Sequence, residues 1–157
     1  MKKLLFSFSI LLLFAVSTFA QKQLTSFNDL MGALNSGKHV RMVFYYNKCK
    51  LISNNEEAEK VPDAIGGMDI VVYEYFAVGA VHNKLAFVVT SESKLIENPK
   101  GDGFVQNYVK VKVLEDGKVV VSAKYIDAKT YDITMDEKFF TEINNGKNDT
   151  AAYFYTE

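Results

Sequence analysis

Gln106-Asn107-Tyr108-Val109-Lys110-Val111-Lys112-Val113-Leu114, followed by Glu115-Asp116-Gly117 and then Lys118-Val119-Val120-Val121-Ser122-Ala123-Lys124-Tyr125-Ile126, is the stretch that decides the fold. In its first arm Val109, Val111 and Val113 alternate with Lys110 and Lys112. That is the period of two by which successive side chains of a strand point to opposite faces. Asp116-Gly117 supplies the positive φ that a tight hairpin turn needs. The second arm returns with Val119, Val121, Ala123 and Tyr125 on one face. Strands joined by so short a turn run antiparallel, and their shared valine face requires a second layer to cover it.

Working outward, the same period recurs. Residues 39–46 place Val40, Met42, Phe44 and Tyr46 on one face and His39, Arg41, Val43 and Tyr45 on the other. Residues 68–76 are apolar on both faces, which predicts a central strand. Residues 85–90 follow a turn at His82-Asn83-Lys84, and residues 131–135 and 151–155 read as shorter strands. Residues 139–143 read as strand or helix. The polar, acidic residues 52–62 and the Gly- and Pro-containing residues 91–103 are expected as surface loops, the former with a short exposed helix as alternative. Seven or eight short strands without helical spacers predict a mostly-β antiparallel sandwich or small barrel. One N-terminal helix, over residues 25–37, packs on it. Ser26 is its cap, Asp29 the acidic first-turn partner, and Phe27, Leu30, Met31 and Leu34 its apolar stripe, with Gly37 at its end.

Residues 1–20 carry a different signal. Lys2 and Lys3 precede an apolar run from Leu4 to Phe14, and Thr18 and Ala20 stand at −3 and −1 of a cleavage site. The run is too short for the roughly 20 residues that span a bilayer. The expectation is a cleaved signal peptide over residues 1–20 and a single domain over 21–157, periplasmic or secreted and not an integral membrane protein. Loss of the two lysines leaves 16 basic against 19 acidic residues, a net charge of −3. No basic stripe is left to neutralise phosphates, so nucleic acid is not an expected partner.

Little in the chain carries recognisable chemistry. His39, His82 and Cys49 share no metal-ligand spacing, so neither a metal nor another cofactor is expected. Ile65-Gly66-Gly67-Met68 lacks the Lys-Ser/Thr of a phosphate loop and leads into a strand, not a helix. Cys49 is the only cysteine. It reads as a small buried hydrophobe, with an intermolecular disulfide or a reactive thiol beside Lys48 and Lys50 as alternatives. The nine tyrosines stand without a tryptophan. Tyr45, Tyr73, Tyr75 and Tyr108 are placed opposite the core face. There they serve either cross-strand packing or a binding surface, since tyrosine offers contact area and a hydroxyl.

Phe27-Asn28-Asp29-Leu30-Met31 with Leu34 and Gly37, Val40-Arg41-Met42-Val43 running into Tyr46-Asn47-Lys48-Cys49, and Pro62-Asp63-Ala64-Ile65-Gly66-Gly67-Met68 together resemble the VirK family of small exported proteins. The resemblance implies an exported domain without an assigned activity, and it transfers no catalytic residues. Two functions follow. The first is a non-enzymatic domain that binds an unidentified small ligand or protein partner, with Cys49, Tyr45, Tyr73, Tyr75 and Tyr108 as candidate binding residues. The second is a small periplasmic enzyme or inhibitor dependent on the thiol of Cys49.

Overall fold

A computed structural model describes residues 21–53 and 56–157. The expected leader, and Asn54 and Asn55 of the acidic stretch, lie outside the described residues. In chain order the elements are β1 (Lys22–Leu24), α1 (Phe27–Asn35), β2 (Val40–Tyr45), a single 3-10 turn (Tyr46–Lys48), β3 (Lys50–Ser53), β4 (Glu56–Glu57), β5 (Ile65–Asp69), β6 (Glu74–Phe76), β7 (Phe87–Glu97), β8 (Phe104–Leu114), β9 (Lys118–Asp127), β10 (Ile133–Glu142) and β11 (Ala152–Thr156). They form two antiparallel sheets, a small one ordered β1-β11-β2-β5 and a large one ordered β4-β3-β10-β9-β8-β7-β6. The sheets pack as a sandwich and do not close into a barrel. Among the described residues no helix is long and apolar enough to cross a membrane.

The hairpin 106–126 sits at the middle of the large sheet, and its register sets the core. Val111 faces Val121, and the rung runs on through Thr90, Phe139 and Leu51. All five side chains are buried. Against them the small sheet turns Val40, Met42 and Phe44 of β2 and Phe154 of β11, each at most 2% exposed. The Phe44 and Phe154 rings meet edge to face at 6.4 Å. Phe27, Leu30, Ala33 and Leu34 of α1 complete the same core. The helix begins as its sequence indicates, the Ser26 hydroxyl accepting the Asp29 N–H at 3.1 Å. The Asp29 carboxylate is held below the usual carboxylate range by the Ser26 hydroxyl first, and then by the hydroxyl and N–H of Thr25, from which it accepts. Gly37 ends the helix at φ +70, with the Lys38 N–H returning to the Ala33 carbonyl.

Several segments differ from the sequence expectation. The described residues hold eleven strands, because β1, β3 and β4, pieces of two to four residues, pair where no strand was expected, and because residues 68–76 contribute to two strands. Residues 68–76 are not one central strand. They split into the end of β5 and β6, edge strands of different sheets, and Val71 and Val72 in the link between them are exposed. Residues 91–97 continue β7, because Ser91, Glu92, Ser93 and Lys94 pair with β8, so the loop shrinks to the turn after Glu97. Residues 131–135 and 139–143 belong largely to one strand, β10. Residues 52–62 hold the end of β3 and β4.

The return from β10 to β11 depends on Asn144, which is 4% exposed. Its amide nitrogen donates to the carbonyls of Asn148 and Thr150, and its Oδ1 accepts from the Gly146 N–H and from Gln23 Nε2. Truncation leaves several buried groups unpaired, each a loss of about 1–3 kcal/mol if no water enters. Asn144→Ala is therefore expected to lower the unfolding free energy by about 2–3 kcal/mol in urea denaturation. Asn98→Ala, which removes one exposed bond to the Lys100 N–H, costs less than about 1 kcal/mol. Equal losses at the two positions contradict this role for Asn144.

Candidate functional site

The two sheets differ in strand length. β7 and β8 have 11 residues each and β9 and β10 have 10, whereas β2 has 6 and β5 and β11 have 5. At about 3.3 Å per residue the long strands reach roughly 15 Å beyond the short ones. The helix lies toward one end, where the start of α1 shares a shallow cleft with the Glu115-Asp116-Gly117 turn. The overhang at the other end stays open. There the inward-facing rungs change character. Glu92, Val109, Ala123, Glu137 and Ser53 form one rung, and Lys94, Asn107, Tyr125 and Met135 the next. Polar side chains are tolerated on these rungs because the small sheet covers them only in part and they border open space.

A groove of about 630 Å³ occupies this end. Val109, Ala123, Tyr125, Met135 and Glu137 line it from the large sheet. Tyr46, Val61, Pro62 and Gly66 form the opposite wall, with Lys60 and Lys100 also on its lining. A smaller recess of about 160 Å³ adjoins it, lined in part by Glu92, Lys94 and Gly67, and shares Tyr46, Gly66, Asn107 and Val109.

Tyr46 stands where the chain crosses from the small sheet to the large one. The crossing takes a single 3-10 turn, pinned by Asn47 Nδ2 donating to Asp63 Oδ1 at 2.7 Å and by the ion pair of Lys48 with Asp149. The Tyr46 ring packs on Phe139 with centroids 4.6 Å apart. Burial lifts its phenol above the usual value, and the ionisable groups of Cys49, Tyr125 and Glu137 add to that shift. On its other side lies Gly66, where a Cβ would come within 2.6 Å of the Tyr46 hydroxyl oxygen. At Gly67 a Cβ would stand 3.0 Å from the Met42 carbonyl oxygen. The paired glycines thus sit inside edge strand β5, not before a central strand, and they make room for Tyr46 and the β2 backbone.

The residues singled out from sequence line neither the groove nor the recess, and they meet only in pairs, Cys49 with Tyr45 and Tyr73 with Tyr108. Cys49 is 7% exposed, its Sγ 3.7 Å from the Tyr45 carbonyl oxygen. Burial pushes its thiol up to about 11. Its two lysine neighbours pair with acids instead, Lys48 with Asp149 and Lys50 with Glu57. A protonated, covered sulfur is the opposite of what a nucleophilic thiol needs. Tyr45 lies on the outer face of the small sheet in a ladder with Tyr153 at 5.4 Å, which in turn stacks on Tyr155 at 6.3 Å. Tyr73 and Tyr108 line a shallow depression of about 270 Å³ at the β6 edge of the large sheet. Tyr75 pairs with Val88, so it is on the core-facing side of edge strand β6, where it remains half-exposed. Among the described residues no three of His, Cys, Asp and Glu converge as metal ligands. The groove is not visible in the sequence because its members, Tyr46, Glu137 and Asn107, come from a turn and two separate strands. The one available sign was Glu137 at an inward position beside Phe139.

The profile of the VirK family matches residues 23–131. The chain belongs to the VirK family. Its fold is similar to the crystal structure of a VirK family protein from Legionella pneumophila, with a TM-score of 0.63 and 16% identity over 84% of this chain and 97% of that one. At that identity the likeness concerns the fold. A search of curated proteins finds no match. In this VirK family member the matched residues end before β10, so Glu137 and Phe139 stand outside them.

Two outcomes follow from this geometry. With its thiol at about 11 instead of the ordinary 9.0, Cys49 exposes about a hundredfold less thiolate at pH 8. Labelling by a disulfide reagent should be slowed by at least that factor until denaturant is added, and rapid labelling of folded protein contradicts the burial. Gly66→Ala displaces the Tyr46 ring and should cost about 1–2 kcal/mol. Combined with Tyr46→Ala, the two losses should fall short of their sum by at least about 0.5 kcal/mol. Strict additivity would show that the ring and the glycine are not coupled.

Proposed function

We propose that this protein is an exported, non-enzymatic binding domain that holds a small ligand in the open groove between its two sheets. The observation that carries the reading is the overhang. Four long strands present two inward-facing rungs that the small sheet covers only in part, and the groove at that end is lined by apolar side chains among which a few polar groups converge. Small-ligand sites have that make-up, a largely apolar concavity with few polar anchors. Tyr46, Tyr125, Asn107 and Glu137 are the anchors available here. Export is supported by the basic start, apolar run and small-residue cleavage signature of residues 1–20. Maturation is expected after Ala20, so protein recovered from its native host should begin at Gln21.

The test is a fragment screen read by NMR on the labelled protein. Fragments of mixed chemistry are expected to shift Ala123, Tyr125 and Met135 together, and to do so more often than they shift Tyr108 on the outer face of the large sheet. Hits that scatter over the surface, or gather on the Tyr45 ladder, would overturn the assignment of the groove. An intact mass that retains residues 1–20 in host-derived protein would overturn the export arm.

A further inference from the structure

The inner face of β10 carries Met135, Glu137 and Phe139 in succession. Glu137 is the charged member of that face, at a position where strand alternation calls for an apolar side chain. Its side chain is only 20% exposed. Its cross-strand neighbours, Ala123 on β9 and Ser53 on β3, offer no cation. A carboxylate only partly open to water gains from a positive partner in the groove. Among the described residues its ion-pair partner is Lys100, whose Nζ stands 3.9 Å from Oε1, beyond hydrogen-bond length. Lys100 comes from the turn between β7 and β8, and its side chain is 61% exposed. The same Nζ lies 6.0 Å from the centroid of the Tyr125 ring.

A cation poised between a carboxylate and an aromatic face is the geometry by which proteins recognise ammonium groups. Here it is held loosely, by a surface lysine that is free to swing into solvent. We propose that Glu137 and Tyr125 form a receptor for the ammonium or guanidinium group of a small aliphatic ligand, and that Lys100 is an internal stand-in which the ligand's cation displaces. Tyr46 closes the site from the opposite wall, while Val109, Ala123 and Met135 receive the alkyl arm. The inference rests on the groove being a binding site and names the class of ligand it takes.

The test titrates the labelled protein with n-butylammonium, n-butanol and butyrate at equal ionic strength, following the methyl signals of Met135 and Ala123. Butylammonium is expected to shift both saturably and at least tenfold more tightly than the other two probes. Glu137→Gln is expected to weaken it at least tenfold. Lys100→Ala is expected to tighten it several-fold by removing the internal competitor. Lys60→Ala, which removes a groove lysine without freeing Glu137, is expected to change it less than twofold. Butanol or butyrate binding as tightly as butylammonium leaves the groove a ligand site and overturns the cation receptor. Silence of both methyls with all three probes, and in the fragment screen, overturns both readings. If Glu137→Gln does not fold, Lys100→Ala decides alone, and no gain in affinity overturns the proposal.

Discussion

Every apolar side chain on the central rung of the large sheet needs cover from the second layer, and the small sheet can supply it over only part of the strands' length. Val111, Val121, Phe139 and Leu51 receive Met42, Phe44 and Phe154 and are sealed. Helix α1 adds Phe27, Leu30 and Leu34 to that core. Beyond the sealed rung the long strands face only the β5 edge and the segment before it, across the groove. The sequence there changes to match, from valine and phenylalanine to Glu92, Glu137, Asn107 and Tyr125, groups that tolerate water on one side. The open end is built into strand length and residue choice together.

The chain then uses its crossings to furnish that end. The 3-10 turn after β2 delivers Tyr46 and carries the strand path from one sheet to the other. The segment before β5 returns across the mouth with Val61 and Pro62, tied to the crossing by the Asn47–Asp63 bond. Gly66 is the geometric consequence. A side chain there would occupy the space of the Tyr46 ring, so the edge strand is bare where the ring lies. Cys49, one turn onward, is packed beneath this crossing as a small apolar group, and its raised thiol follows from that burial.

Much of the fold was legible because it is written in local periodicity. The hairpin 106–126, strand β2 and the capped helix follow from alternation, turn chemistry and an N-cap, and each appears near its expected bounds. Residues 68–76 were misread because an apolar run on both faces looks the same whether it crosses a sheet or links two of them. The continuation of β7 through Ser91, Glu92, Ser93 and Lys94 was missed because polar residues on an uncovered part of a strand read as loop. The VirK resemblance, drawn from residues 27–68, is now matched over residues 23–131. The groove was not legible at all. Tyr46, Asn107, Tyr125 and Glu137 are unremarkable in their own segments, and only the crossing between the sheets, sheet order and register bring them together. Tyr45, Tyr73, Tyr75 and Tyr108 stood out by residue type, yet the fold disperses them over different surfaces.

The central claim, that the long strands overhang the small sheet and leave their outer rungs open, is tested most directly by solvent paramagnetic relaxation of methyl groups with a neutral gadolinium chelate. The structure predicts strong relaxation at Met135 and measurable relaxation at Val109, with Val111, two residues along β8, and Val121, on the neighbouring β9, protected. Equal protection of all four methyls would mean that the sandwich is covered along its whole length, and that no groove exists.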